Sequence, residues 1–452
     1  MNKFFRVPEG RFTTADIMRL MMPLIIEQFL VVLVGMADTA MVAGVGEEAI
    51  SGVSLVDAIN ILLLQVFMAL TAGGGVVITQ YIGKKDINKA CDGAKQIIYL
   101  GFFIAAAVMS ICLLFDGTIL GFMFGSVDSK IMESARIYFV YSAISYPFIS
   151  VYYGCATIFR VKGNGRTPLA GSVMMNVINI VLNAVLIFGY HMGVAGAAIA
   201  TLISRVASSL FLLALICMQK HGVCIDKIYK YKPDFEMIKR MLKTGLPNSV
   251  EAGVFQLGRL ILQKFISTLG TASIAAYAVA MSIASFSHAG GSAVGTGMLT
   301  IVGQCMGAGE KEESVSYSKY MVKLAYVVSI VVNVLLVVFN EPILRAFNLG
   351  GETAQLTRTL LYMFYICEVT IWPLSFALPN VFKASGDNKF TLIIALLSMW
   401  ICRILLGYIL GKYAGMGIMG VWIAMFADWV VRSVIFVWRF AQREKWQSKR
   451  VI

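Results

Sequence analysis

Residues 50–82 read ISGVSLVDAINILLLQVFMALTAGGGVVITQYI, and Asp57 is the one charged side chain among them. About 20 apolar residues suffice for a helix to cross the roughly 30 Å hydrocarbon core of a bilayer, and this stretch has more than enough. In lipid the backbone must satisfy its own hydrogen bonds, so the segment is helical. Comparable stretches recur at 17–44, 90–115, 131–159, 167–189, 195–219, 241–268, 273–306, 315–339, 355–383, 389–411 and 418–440. The whole chain follows the pattern: of its 452 residues 58% are apolar and only 14% charged, against roughly 25% charged in soluble domains, and its mean hydropathy is +0.78. Too little polar surface remains to cover a soluble fold. A soluble enzyme, a disordered scaffold and a fibrous protein are excluded, and the fold class is all-α, a polytopic membrane protein of twelve transmembrane helices.

The formal charge of +13 would suit a nucleic-acid partner in a soluble protein, but no basic segment interleaved with aromatics is present. Here it marks cytoplasmic loops. Of 38 Lys and Arg, 28 fall on the N-tail, alternate loops and C-tail, and five (Lys130, Arg136, Arg345, Arg358, Lys412) on the opposite side. The positive-inside rule therefore places both termini in the cytoplasm of a multi-pass cell-membrane protein. The segment MNKFFRVPEGRFTTAD has no apolar core, so no cleaved signal peptide is expected. The eight Cys form no C-x-x-C pair and predict neither a disulfide framework nor a zinc site.

The longest basic loop separates two halves, predicting an N-terminal six-helix lobe over 1–220, a linker over 221–240 and a C-terminal lobe over 241–452. A shift of 224 positions aligns Pro23 with Pro247, Glu27 with Glu251, Gly46 with Gly270, Gln80 with Gln304 and Gly83 with Gly307. It also brings Gly193, Gly196, Ile199 and Ala200 onto Gly417, Gly420, Ile423 and Ala424, and with a one-residue slip Phe159-Arg160-x-x-Gly163 onto Phe382-Lys383-x-x-Gly386. An even number of spans per half gives both halves the same topology, related by a pseudo-two-fold axis along the membrane normal, with a cleft between them. Such a repeat predicts a transporter working by alternating access.

Ionisable groups inside spans are costly and point to function. Asp38, Asn179, Asn183 and Thr201 lie at one depth below the outer boundary, an all-oxygen set suited to a small hard cation or to a proton on Asp38. Asp57, with Asn60 beside it, is a second acid at similar depth. Glu27 and Glu251 each follow a proline by four residues and are placed, with Asp57 and Glu368, on the substrate pathway. Arg403 and Asp428 are expected to neutralise one another, and His288 to be a hydrogen-bonded packing residue.

These segments resemble the multidrug and toxic compound extrusion (MATE) family over essentially the whole chain. The resemblance is carried by VGMADTAMVAGVG (34–46), GGGVVITQYIGKKD (73–86), FRVKGNGRTPLAGSVMMNVINIVLNAVLIFG (159–189), GVAGAAIATLISR (193–205) and GLPNSVEAGVFQ (245–256). It implies twelve helices in two lobes and export of organic, mostly cationic compounds in exchange for Na⁺ or H⁺. The family's span-1 acid falls on Asp38, its amino-terminal cation ligands on Asn179, Asn183 and Thr201, and its span-7 acid on Glu251. Two positions depart from the pattern: Asn183 stands where one branch has an aspartate, and Trp372 where another does, with Glu368 one turn earlier.

The expectation is an antiporter and not an enzyme, with no cofactor beyond the coupling ion (Na⁺ or H⁺). Its partners are small organic cations or drugs and the lipid bilayer, with no nucleic acid, and one chain suffices as a monomer. No G-x-x-x-x-G-K-[ST] loop is present to bind ATP, so an ion gradient supplies the energy. A lipid-linked oligosaccharide flippase of related architecture would need a cationic cavity, which the acids Glu27, Asp38, Asp57, Glu251 and Glu368 oppose. An ion-coupled metabolite importer would use the same ion site with the opposite direction of substrate movement.

Overall fold

The computed structural model describes residues 7–125, 127–219, 222–225, 232–347 and 349–452. Lys3, Arg6, Lys220, Lys227, Lys230 and much of the expected linker lie outside the described residues. Among the described residues every regular element is helical. Its first half runs α1 (Thr14–Ala43), α2 (Glu47–Gly83), α3 (Ile87–Leu114), the short α4 (Asp116–Phe124), α5 (Ser129–Val161), α6 (Arg166–Asn183) with a π-helical continuation Ala184–Gly189, and α7 (Gly193–Met218). The second half runs α8 (Phe235–Ile266), α9 (Thr271–Ala308), α10 (Lys311–Val338), the short α11 (Asn340–Ala346), α12 (Gly351–Thr370) and α13 (Pro379–Ser385). It closes with α14 (Asn388–Leu397), π-helical Ser398–Leu405, α15 (Leu406–Tyr408), π-helical Ile409–Tyr413, α16 (Gly417–Ala441) and the short α17 (Arg443–Gln447).

The 224-residue repeat is visible element by element. Adding 224 to the bounds of α3, 87 and 114, gives 311 and 338, the bounds of α10. Likewise α2 maps onto α9, α4 onto α11, α5 onto α12 with α13, α6 onto α14 and its π-helical continuation, and α7 onto α16. Punctuation repeats too. Asp86 precedes α3 and caps it, its carboxylate accepting from the Lys89 N–H at 3.1 Å, and Glu310 stands at the same place before α10. Gly163 (φ 80°) and Gly386 (φ 99°) take the left-handed conformation that ends a helix, each three residues after a basic side chain, Arg160 or Lys383.

Among the described residues nine helices are long and apolar enough to span a membrane, and the α12–α13 pair, bent by 58° between Thr370 and Pro373, makes a tenth. The helices α5 and α8 fall short of that composition, although both were expected to span. In α5 the reason is burial: it packs on α2, α3 and α7, so its Ser142, Ser145, Tyr146 and Ser150 face protein rather than lipid. Conversely, Ile330, Val331, Val334, Leu335 and Val338 on α10 are 46–66% exposed, an apolar face that suits a bilayer and not water.

By compactness the chain forms two units, one of residues 22–249 and one of residues 1–21 with 250–452. The divisions thus fall inside α1 and α8, next to Pro23 and Pro247, whereas the sequence pointed to the basic stretch 221–240. Within the first unit, the start of α8 packs on α2: Thr244 Oγ1 donates to the Gly73 carbonyl at 2.8 Å and Ser249 Oγ to that of Val66 at 3.0 Å. Within the second, the start of α1 packs on α9, where the Met21 side chain fills the space beside Gly297. Gly73 and Gly297 are repeat partners, and each lets another helix approach closely. A Cβ on Gly73 would lie 2.3 Å from the Gly245 Cα, whereas one on Gly35 would meet nothing within 4 Å. Gly73→Ala should therefore destabilise the purified protein by about 1–3 kcal/mol, the usual cost of overpacking, read as a lowered melting temperature, while Gly35→Ala should leave it unchanged or slightly raised.

Candidate functional site

In the unit of residues 22–249 the four expected oxygen donors form one hydrogen-bonded chain. Asn183 Nδ2 donates to Asp38 Oδ1 and, at 3.2 Å, to Asn179 Oδ1; Asn179 Nδ2 in turn donates to Thr201 Oγ1 at 3.3 Å. Asn179 and Asn183 sit one turn apart on α6, so both amides reach the same space between α1 and α7. Because the Asn183 amide nitrogen faces two acceptors, its Oδ1 must point elsewhere. That oxygen is buried and has no hydrogen-bond partner among the described residues. Asn183 is wholly buried and is followed at once by the π-helical turn Ala184–Gly189, a local irregularity common at functional sites.

The second acid belongs to the same network. Asn60 Nδ2 donates to Asp57 Oδ1 at 3.3 Å and to Ser142 Oγ at 3.2 Å, and the Tyr146 hydroxyl donates to Asn60 Oδ1 at 2.8 Å. The Tyr138 phenol on α5 neighbours both Asp57 and Thr201 and so joins the two clusters. Arg205, one turn along α7 from Thr201, donates from Nη1 to Ser145 Oγ at 2.7 Å. Sequence reasoning missed Tyr138, Ser142, Ser145 and Tyr146. The signal was present as a polar stripe at helical spacing in an otherwise apolar span.

Glu27 and Glu251 each receive a partner that the sequence did not announce. Arg160 Nη2 bonds Glu27 Oε1 at 2.7 Å, and Lys383 Nζ bonds Glu251 Oε1 at 2.9 Å. The two pairs are equivalent under the repeat, and in each the second carboxylate oxygen is buried without a hydrogen bond among the described residues. Each basic residue lies in the last helical turn before its left-handed glycine, where the helix dipole also favours a cation. The negative charge expected to draw a cationic ligand is thus already balanced by a base within the same unit.

In the other unit Glu368 is fully buried and bonds His288 Nδ1 at 3.1 Å, while the imidazole stacks on Trp372 with ring centroids 5.1 Å apart. Trp372, standing where a family branch has an acid, is thus the lid of the Glu368–His288 pair. Arg403 lies 3.7 Å from Asp428, but the closer partner is Arg432, whose Nε bonds Asp428 Oδ1 at 2.9 Å. Two guanidinium groups share one carboxylate there, and both lie over the Phe255 ring. In the repeat Arg403 occupies the place of Asn179, Gly407 that of Asn183, Met425 that of Thr201 and Leu262 that of Asp38. The oxygen cluster therefore has no counterpart in this unit. Among the described residues no group of three or more His, Cys, Asp or Glu could hold a metal ion.

The profile of the MatE family matches residues 23–185 and again residues 247–409. The chain belongs to the MatE family. Both ends of the two MatE segments are offset by 224 positions, the spacing seen in the sequence and in the helices. A probable multidrug resistance protein NorM of Thermotoga maritima is 25% identical over 453 residues, 99% of this chain and 95% of its own. An uncharacterized transporter YisQ of Bacillus subtilis is 26% identical, over 95% of this chain and 94% of its own. A multidrug resistance MATE family transporter of the MOP superfamily, solved in an outward-facing conformation, superimposes with a TM-score of 0.89 at 22% identity, over 95% of this chain and 96% of that one. At that identity the likeness to this MatE structure is one of fold.

The paired glutamates give a direct test of the charge balance. Arg160→Met leaves Glu27 buried and alone, and breaking such a pair costs about 3–5 kcal/mol. Its melting temperature should fall clearly, and Glu27→Gln added to it should recover most of the loss. Lys383→Met should cost less, because Lys383 and Glu251 are 18% and 17% exposed against 14% and 5% for Arg160 and Glu27.

Proposed function

We propose that the chain is a secondary antiporter of the cell membrane, not an enzyme, that exports organic and mostly cationic compounds in exchange for Na⁺ or H⁺. The observation that carries this reading is the buried cluster of Asp38, Asn179, Asn183 and Thr201, in which the Asn183 Oδ1 points away from the two acceptors of its amide nitrogen and has no hydrogen-bond partner among the described residues. A carboxylate, amide oxygens and a hydroxyl are hard donors suited to Na⁺, and the carboxylate alone suffices for H⁺. Family membership and the printed name of the NorM relative, a probable multidrug resistance protein, support the export of drugs. The excess of Lys and Arg on alternate loops supports cytoplasmic termini. One chain, as a monomer, suffices for the cycle.

In this mechanism a cation entering at Asp38 replaces the bond from Asn183 with bonds to both residues' oxygens. That rearrangement changes how α1 sits against α6 and α7. Exchange follows if the substrate and the ion each prefer a different arrangement of α1, since a ligand shifts an equilibrium only by its difference in affinity. The supply is sufficient: a tenfold ion gradient is worth about 1.4 kcal/mol, and 100 mV adds about 2.3 kcal/mol per charge moved. Glu27, Asp57, Glu251 and Glu368 are the acids assigned to the substrate path, and the bases beside Glu27 and Glu251 would have to yield to a cationic substrate there.

In proteoliposomes loaded with a fluorescent organic cation, one of an imposed Na⁺ or pH gradient should drive countertransport by the wild type. Asp38→Asn should reduce that flux to the leak of protein-free liposomes, and Asn183→Ala should raise the ion concentration for half-maximal rate at least about tenfold, the loss expected for one oxygen contact to a charge. Full ion-driven flux in Asp38→Asn would exclude this coupling site. Substrate moving in the same direction as the ion would point to import.

A further inference from the structure

We infer that Arg205 is a resident counter-ion for the Asp38–Asp57 network, so that this unit takes up a single monovalent cation per cycle instead of two. The inference rests on Asp38 as the coupling site and goes beyond it to the number of ions bound.

The network contains two carboxylates and one guanidinium. The other titratable groups facing it are the phenols of Tyr138, Tyr146 and Tyr153 on α5 and the Cys112 thiol on α3, all neutral as long as they keep their protons. With both acids ionised the net charge is −1, and one monovalent cation brings it to zero. A second would leave an uncompensated positive charge in a low-dielectric bundle, which is strongly unfavourable.

Arg205 is placed to cancel charge without blocking the site. Its Nη1 is held by Ser145 Oγ at 2.7 Å, and that hydroxyl is itself anchored on the Ser142 carbonyl at 2.6 Å. The guanidinium is thus tied to α5 by a neutral partner and acts on Asp38 and Asp57 through space. The Asn183 Oδ1, buried and without a hydrogen-bond partner among the described residues, stays open for the incoming ion.

The remaining membrane-embedded acids have bases of their own: Glu27 has Arg160, Glu251 has Lys383, Glu368 has His288 and Asp428 has Arg432. Asp38 and Asp57 instead accept from neutral amides, those of Asn183 and Asn60. Under the repeat, Asp38, Asp57 and Arg205 correspond to Leu262, Met281 and Trp429, so a second site of this kind is not built.

The test is the exchange stoichiometry of the full chain in proteoliposomes, with a monovalent fluorescent cation as substrate and the membrane potential set by K⁺ and valinomycin. A membrane potential moves flux only when exchange carries net charge. Wild type should exchange one coupling ion per substrate, with a Hill coefficient near one and a flux indifferent to the imposed potential. Arg205→Gln should exchange two ions, with a Hill coefficient above one and a flux that follows the potential, and Arg205→Lys should return to one. The double variant Asp57→Asn/Arg205→Gln removes a charge of each sign and should also exchange one. Two ions in wild type, or one in transporting Arg205→Gln, would overturn the inference. Should Arg205→Gln fail to fold, the double variant decides, and two ions there overturn it. Loss of the coupling-site reading shows separately, as ion-driven flux that survives in Asp38→Asn.

Discussion

An ionised carboxylate inside a bilayer needs a partner, and the interior of this protein is organised around that need. Four of its embedded acids are matched with an arginine, lysine or histidine in the same unit. Asp38 is held instead by Asn183, a neutral amide that cannot balance its charge. A cation bound there would supply the balance that the amide cannot, which is the basis of the proposed coupling.

The two halves began from one plan and diverged where the chemistry lies. The terminal glycines and the Glu27–Arg160 and Glu251–Lys383 pairs repeat at or within one residue of the same spacing, and the bounds of the matched helices stay within three residues of it. These features make helices start, stop and pack, so both halves need them. At the site the halves part. Asn179 is answered by Arg403, a cation supplied by the chain itself, and Asn183 by Gly407, which offers no oxygen from a side chain. One half keeps its oxygen donors while its repeat partner carries a second guanidinium beside Asp428.

Much of the site was legible in sequence because depth along a helix is a matter of counting. At 1.5 Å per residue, Asp38, Asn179, Asn183 and Thr201 fall at a similar distance from the ends of their helices. Counting does not tell which faces turn toward one another. Arg160 is 133 residues from Glu27, and no local pattern links them. Tyr138, Ser142 and Tyr146 could have been read as an inward stripe on α5, but their partners Asp57 and Asn60 are on α2.

The sequence by itself determined what bilayer thickness and helix periodicity impose: twelve helical spans, their repeat at 224 residues, and the position of each polar group along its span. Tertiary structure decided which charges meet. It gave Glu27 and Glu251 their bases, put Arg432 rather than Arg403 against Asp428, and drew Asp57 and Arg205 into the network of Asp38. It also assigned the first 21 residues to the unit built mainly from 250–452. The physical reason is that burial depth follows from one helix at a time, whereas pairing depends on the rotation and approach of helices far apart in the chain, which packing alone sets.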